Sequence, residues 1–137
     1  MSFNASTPES AVTGFNELLD IHFCGYGEGV YRLELAVGPQ HLHSAHSVHG
    51  GVYLTLLDTV MSRAVQSGSP GHSYTPTMQL SGNFFRPLHK GRIYAEGRVG
   101  NSSRKTVFAE GKLFDAQRRL LAQGSATFLV TEHKPLA

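Results

Sequence analysis

Apolar residues repeat with a helical period in two parts of the chain. From Gly50 to Ser67 they cover most of an ideal helical wheel, and the polar residues share one narrow stripe. That stripe contains Thr55, Thr59, Ser62, Arg63 and Gln66, with Asp58 at its edge. The pattern predicts one long, mostly buried helix over residues 50–67, with Asp58 partly shielded from solvent. A second, shorter helix is predicted from Thr13 to Asp20.

Alternating apolar and polar residues predict strands over residues 30–37, 75–85, 92–99, 105–114 and 120–130. Before the first of these strands, Gly25, Gly27 and Gly29 predict a turn region, because closely spaced glycines favour turns.

Small residues occupy the middle of one face in the last three predicted strands. They are Ala95, Gly97, Ala109, Gly111, Ala122, Gly124 and Ala126. Side chains this small leave space for a bulky element at short distance, and the apolar helix is the large element available. We therefore predict an α+β fold in which an antiparallel sheet of five to six strands wraps around one long central helix.

The composition is typical of one compact domain: 137 residues, 40% of them hydrophobic and 16% charged. We expect a flexible terminus over residues 1–11 and a single domain over 12–137. The formal net charge of +2 is too small to indicate a nucleic-acid partner. No apolar stretch approaches the roughly 20 residues of a membrane span, and no secretory signal is evident. The single cysteine, Cys24, fits a cytoplasmic protein without an intramolecular disulfide.

His49, Gly50 and Gly51 open the long predicted helix, and Asp58 lies about two turns inside it. The first backbone N–H groups of a helix are unpaired and carry a partial positive charge, so they suit a developing oxyanion. Glycine lets a ligand approach those groups closely. A carboxylate among apolar neighbours is costly to bury without a partner. Together these features indicate chemistry at a carbonyl group.

With these residues, the chain resembles the hotdog-fold acyl-CoA thioesterases of the phenylacetate-degradation (PaaI-like) type. The matching motifs are His49-Gly50-Gly51, Leu57-Asp58-Thr59 and Phe85-Arg86-Pro87, and the final strand with Gly124 also fits. The resemblance covers roughly residues 12–131. It implies hydrolysis of a short-chain or aryl acyl-CoA thioester, with coenzyme A as part of the substrate and no separate cofactor.

The resemblance also implies roles for individual residues. The backbone N–H of Gly50, with Gly51 beside it, would stabilise the oxyanion. Asp58 would act as a general base on water or as a nucleophile, and the Thr77 hydroxyl would orient the water. The family's active sites combine residues of two subunits, so we expect a homodimer that further assembles into a homotetramer.

The family often has asparagine six residues before the motif histidine and glycine three residues before it. Here these positions hold His43 and His46. An imidazole at His43 could donate a hydrogen bond to the thioester or to the water, as the amide would. We therefore expect His43 and His49 to help position the reactants.

Each site residue also has a structural interpretation. Asp58 could be a helix-surface residue bonded at a subunit interface, Gly50 and Gly51 could serve only tight packing, and Thr77 could be an ordinary strand residue. The histidine run could suggest a metal site; it consists of His41, His43, His46 and His49. Its spacing matches neither a helical pair nor a zinc finger, so no metal site is predicted.

Arg86, Arg104 and Lys105 lie at predicted strand ends and turns, where charged side chains commonly have no partner but solvent. The alternative is contact with the phosphates of coenzyme A. Residues 101–105 are the stronger candidate, because Asn101 and Ser103 make this turn polar and its backbone offers further donors.

The sequence is compatible with three functions. The first is the thioesterase, the second is a hotdog hydratase or dehydratase, and the third is a non-catalytic acyl-CoA binder or sensor. The histidine and acid arrangement of the second class is not evident in the chain. Hydrolysis of acyl-CoA separates the first function from the third, and hydration of crotonyl-CoA tests the second.

Overall fold

The computed structural model describes residues 14–68 and 74–131. In chain order the elements are α1 (Gly14–Leu18), β1 (His22–Gly27), β2 (Val30–Ala36), a 3₁₀ turn (Pro39–His41), α2 (Gly50–Ser67), β3 (Thr77–Phe84), β4 (Arg92–Ser102), β5 (Thr106–Phe114) and β6 (Leu120–Leu129). In this described part, neither α-helix is long and apolar enough to cross a membrane. The predicted flexible terminus over residues 1–11 lies outside the described residues.

The six strands form one antiparallel sheet in the order β1-β2-β4-β5-β6-β3, and α2 packs against every strand from β2 to β6. The buried side chains of α2 are Val52, Tyr53, Leu56, Leu57, Val60, Met61, Ala64 and Val65. Asp58 is half-buried, as the helical wheel predicts. The predicted architecture, an antiparallel sheet around one long helix over residues 50–67, is confirmed.

Small residues of the sheet bring its strands close to the backbone of α2. A Cβ atom on Gly97 of β4 would lie only 2.5 Å from the carbonyl oxygen of Val60, and one on Gly111 of β5 would lie 3.1 Å from Cγ of Met61. The predicted role of the small residues, which is to make room for the helix, is thus confirmed. The contact at Gly97 involves helix backbone, which cannot move aside as a side chain can.

Replacing Gly97 by alanine is therefore expected to destabilise the fold. Overpacking a close-packed core typically costs about 1–3 kcal/mol. We expect the free energy of unfolding in urea to fall by about 3 kcal/mol, since the new methyl group meets the carbonyl of Val60. Gly68→Ala is the matched control. Its Cβ atom would lie 3.5 Å from the nearest atom, an ordinary contact, so no loss of stability is expected there. Equal stability of the two variants would contradict this explanation.

The predicted turn region around Gly25 and Gly27 is wrong. Both glycines belong to β1, which pairs antiparallel with β2. Gly25 has a φ of 111° and follows a shift in the pairing register, so glycine here permits a bulge inside a strand. The hydrogen bonds to β2 outweigh the low strand propensity of glycine. The turn itself is confined to Glu28 and Gly29, between β1 and β2.

Strand β3 forms one edge of the sheet and pairs only with β6. Met78 is 61% exposed and Phe84 is 49% exposed on this strand, and Phe85, directly after it, is 55% exposed. The free row of backbone groups on an edge strand is a template for pairing with another chain, and exposed apolar side chains on that strand favour such pairing. This edge is therefore a candidate surface for a second copy of the protein.

Candidate functional site

The first turn of α2 leaves one backbone N–H open to a ligand. His49 is the N-cap, with φ −60° and ψ 136°, and its Nδ1 accepts a hydrogen bond from the N–H of Gly51 at 2.8 Å. The N–H of Gly51 is therefore already engaged by a neighbouring side chain. Among the described residues, the N–H of Gly50 donates no hydrogen bond. Of the two glycines expected to bind an oxyanion, only Gly50 therefore has a free N–H in the described structure.

Two aromatic side chains, Phe84 and Tyr53, lie beside the free N–H of Gly50. A Cβ atom on Gly50 would lie 3.1 Å from Cε2 of Phe84, so the glycine allows the ring to pack directly against the start of α2. The Phe84 ring meets Tyr53 edge to face, with centroids 5.7 Å apart. Burial, and then the charge of Asp115, raises the pKa of Tyr53 to about 12. Its hydroxyl is therefore neutral and donates to the carbonyl oxygen of Arg86 at 2.9 Å.

Asp58 and Thr77 come together although they lie on different elements. The Thr77 hydroxyl donates to Oδ1 of the Asp58 carboxylate at 2.8 Å. Thr77 begins β3, where the pairing with β6 is irregular between Thr77 and Gln79. The bond fixes one carboxylate oxygen, and no described residue donates to the other. That second oxygen can accept a proton from a bound water molecule.

Gly50 and Asp58 of one chain are too far apart to act on one carbonyl group. They are eight positions apart on α2, which corresponds to about 12 Å along the helix axis. A general base must lie within about 3 Å of the proton that it takes, or reach it through one water molecule. The predicted oxyanion donor, Gly50, and the predicted base, Asp58, therefore lie at separate places on one chain.

The loop before α2 is tied together by the side chain of His43. The N–H of Ala45 donates to Nδ1 of His43 at 2.9 Å, and Nε2 of His43 lies 2.7 Å from the hydroxyl of Ser47. His46 has a φ of 67°, a left-handed conformation that favours glycine, and the related family often has glycine at this position. Both ring nitrogens of His43 are thus engaged within the loop. Nothing in the sequence pattern singles out Ser47.

The histidine run does not converge on one point. His41 is fully buried, where its Nδ1 accepts from the N–H of Gly38 at 2.9 Å and its Nε2 donates to the carbonyl oxygen of Leu19 at 2.7 Å. His49 caps α2, while His43 closes the loop. Within residues 14–68 and 74–131, no three potential metal ligands form a group that could hold an ion.

The basic candidates lie at opposite ends of β3 on a single chain. Arg86 follows the end of β3 near Gly50, since its carbonyl oxygen accepts from Tyr53. Residues 101–105 lie near the start of β3. The carbonyl oxygen of Lys105 accepts from Val130, which directly follows β6, and the end of β6 pairs with Thr77 of β3. Asn101 lies inside β4, which extends to residue 102, so the exposed turn comprises only Ser103, Arg104 and Lys105. The polar turn predicted at residues 101–105 therefore begins two residues later, at Ser103.

Cys24 is not a nucleophile in this structure. Burial, followed by the nearby carboxylate of Glu34, raises the pKa of its thiol to about 11. The thiol therefore stays protonated at neutral pH, and thiolate is the reactive form.

The fold and the arrangement at the start of α2 agree with a known family. Residues 45–122 match the family model described as the thioesterase superfamily. The chain belongs to the thioesterase superfamily. This thioesterase is accordingly a thioester hydrolase. Its matched segment contains the last residues of the loop before α2, the whole of α2, strands β3 to β5 and the first residues of β6.

Sequence relatives of this thioesterase are distant. It is 27% identical over 121 residues to a candidate esterase of Archaeoglobus fulgidus, covering 87% of this chain and 77% of that protein. It is 23% identical over 135 residues to a candidate esterase of Mycobacterium tuberculosis, covering 96% of each chain.

Solved structures of similar fold include two with named functions. A thioesterase from Haemophilus influenzae has a TM-score of 0.79 at 20% identity, covering 83% of this chain and 80% of that one. A mutant of the phenylacetic acid degradation protein PaaI from Thermus thermophilus has a TM-score of 0.76 at 23% identity, covering 85% and 98%. At these identities the likeness establishes the hotdog fold.

Proposed function

We propose that this protein is an acyl-CoA thioesterase for a short-chain or aryl acyl group, and that its active site is shared by two copies of the chain. The observation that carries the proposal is the open N–H of Gly50, about 12 Å along α2 from Asp58. An oxyanion donor and a base at this separation serve one carbonyl only if they come from different chains.

The exposed edge of the sheet supports a two-fold dimer of this kind. Thr77, at the start of β3, is bonded to Asp58, and Phe84, at the end of β3, packs against Gly50. Antiparallel pairing of β3 with β3 of a second copy places the start of one strand beside the end of the other. Asp58 of one chain then approaches Gly50 of its partner, and the exposed side chain of Met78 is covered.

In this arrangement the reaction needs no separate cofactor. Asp58 takes a proton from water as the water oxygen attacks the thioester carbonyl. The tetrahedral oxyanion accepts a hydrogen bond from the N–H of Gly50 on the other chain. The carbon–sulfur bond then breaks, and coenzyme A leaves as the thiolate and takes up a proton. A nucleophilic Asp58 that forms a mixed anhydride is the alternative to the base.

The same pairing brings together the basic residues that are separated on one chain. Arg86 near Gly50 of one copy comes to the end of the interface where Arg104 and Lys105 of the other copy lie. We propose that these side chains, with Asn101 and Ser103, bind the phosphates of coenzyme A, for which arginine is suited by its paired donors. Pairing of two such dimers into a tetramer, and a cytoplasmic location, stay predictions.

The experiment that tests this proposal measures release of coenzyme A from a panel of short-chain and aryl acyl-CoA thioesters. The wild-type protein is expected to hydrolyse at least one of them. Asp58→Asn and Gly50→Pro are then assayed singly and after co-expression. Each variant alone is expected to be nearly inactive, but a mixed dimer regains one intact site. Random pairing restores about a quarter of the wild-type activity, because half of the dimers carry one working site of two.

Each negative result of these assays contradicts a different part of the proposal. If the wild-type protein binds acyl-CoA without hydrolysing it, a binder or sensor replaces the thioesterase, and hydration of crotonyl-CoA would favour a hydratase. If the wild-type protein is active but the co-expressed variants regain nothing, the shared site is wrong.

A further inference from the structure

We infer that Ser47 is a second donor to the thioester carbonyl oxygen, alongside the N–H of Gly50, and that His43 orients its hydroxyl. The inference rests on the proposed thioesterase function and adds a residue to that site. It starts from the loop over residues 43–47, whose side-chain hydrogen bonds fix the protonation pattern of His43.

The hydrogen bonds of His43 determine which way its bond to Ser47 runs. Because the backbone N–H of Ala45 can only donate, Nδ1 of His43 must be the acceptor. In a neutral imidazole the other nitrogen, Nε2, then carries the hydrogen. Nε2 therefore donates to Oγ of Ser47 at 2.7 Å. The hydrogen of the Ser47 hydroxyl is left to donate elsewhere, and the described residues offer it no acceptor.

The direction of the hydrogen bond between His43 and Ser47 excludes activation of Ser47 as a nucleophile by His43. Such a pair requires the imidazole to accept the hydroxyl proton, as in serine hydrolases. Here Nε2 is the donor, so His43 cannot take the proton from Ser47 while Ala45 donates to Nδ1. Ser47 is set up to donate a hydrogen bond and not to attack the substrate.

Contacts through His43 place Ser47 on the same side as the start of α2. Val48 is paired with Leu42 in a short bridge and is 6% exposed, so its side chain points into the core. The Ser47 hydroxyl lies 2.7 Å from Nε2 of His43, and the His43 ring in turn lies beside His49, which caps α2 next to the free N–H of Gly50. The rings of His43 and His49 lie edge to face, with centroids 6.5 Å apart.

The loop is held in place from a second segment. The N–H of Val48 donates to the carbonyl oxygen of Leu88 at 2.8 Å, and Nδ1 of His89 lies 3.0 Å from the carbonyl oxygen of His46. A donor held in this way needs little reorganisation when charge develops on the carbonyl oxygen, which is the condition for effective oxyanion stabilisation.

The test compares Ser47→Ala with Ser47→Thr and with Ser44→Ala, an exposed serine of the same loop that makes no side-chain hydrogen bond in the described structure. For the best acyl-CoA of the panel, Ser47→Ala is expected to lower kcat on the order of 100-fold, as loss of an oxyanion donor does. KM should change less than about threefold, because the donor acts mainly in the transition state. Ser47→Thr keeps the hydroxyl and should restore most of the rate, and Ser44→Ala should match the wild type.

Thermal unfolding of all three variants accompanies the kinetics. A wild-type kcat for Ser47→Ala overturns the inference while leaving the thioesterase intact. A loss of kcat that follows a fall in Tm, without rescue by Ser47→Thr, assigns Ser47 to loop structure alone and also overturns it. If the wild-type protein hydrolyses no thioester, the proposed function and this inference fail together.

Discussion

Asp58→Asn is expected to reduce kcat for acyl-CoA hydrolysis by about a thousandfold or more, because an amide cannot take a proton from water. The fold should be unaffected. The side-chain oxygen of asparagine can still accept the hydrogen bond that Thr77 donates to Asp58 at 2.8 Å. The measurement is steady-state release of coenzyme A, together with unfolding in urea.

Glu110→Gln is the control for this loss of a carboxylate. Glu110 is an exposed residue of β5, and the variant should retain the wild-type rate. Hydrolysis by Asp58→Asn at the wild-type rate would show that the carboxylate is only a structural partner of Thr77. A single turnover in ¹⁸O-labelled water tests for a nucleophilic Asp58. A mixed anhydride that water opens at the aspartyl carbonyl carbon leaves label in the Asp58 side chain, whereas general-base catalysis puts the label in the acid product alone.

Gly50→Pro is expected to lower kcat by about 100- to 1000-fold, since proline has no backbone N–H to offer the oxyanion. Proline is well tolerated at the first position of a helix, where its fixed φ is suitable. The preceding residue, His49, has φ −60° and ψ 136°, a conformation that a following proline permits. The variant therefore removes the donor while α2 can still begin at this residue.

Gly50→Ala is the matched control, because it introduces the same Cβ atom, 3.1 Å from Cε2 of Phe84, but keeps the N–H. The difference in kcat between the two variants isolates the hydrogen bond from the steric effect on the Phe84 ring. Circular dichroism checks that both variants retain the helix. Equal rates for the proline and alanine variants would mean that the N–H of Gly50 plays no part in the reaction.

Local patterns in the chain predict most of the fold. The wheel over residues 50–67 predicts the bounds of α2 and the half-buried position of Asp58, because helix burial follows a period that can be read from side-chain types. The small residues of β4, β5 and β6 predict the close approach of the helix. The same patterns fail at β1. Gly25 and Gly27 favour a turn locally, and only the pairing with β2 makes them part of a strand.

The candidate site is less fully predictable. The motif of His49, Gly50 and Gly51 identifies a helix start suited to an oxyanion, but the pattern treats the two glycines alike. They differ in the structure because the N–H of Gly51 donates a hydrogen bond to Nδ1 of His49, whereas the N–H of Gly50 is free. Ser47 gives no signal in the sequence, since its role depends on the direction of one hydrogen bond from His43.

The sequence by itself determines the central apolar helix, the small residues against which it packs, and the presence of a glycine-rich helix start and a carboxylate on one element. These follow from periodicity and residue size, which are local properties. Only the tertiary structure decides that Thr77 reaches Asp58, that Phe84 covers Gly50, and that β3 lies exposed at the sheet edge. Those contacts join residues far apart in the chain, so their geometry depends on how the strands and α2 pack together.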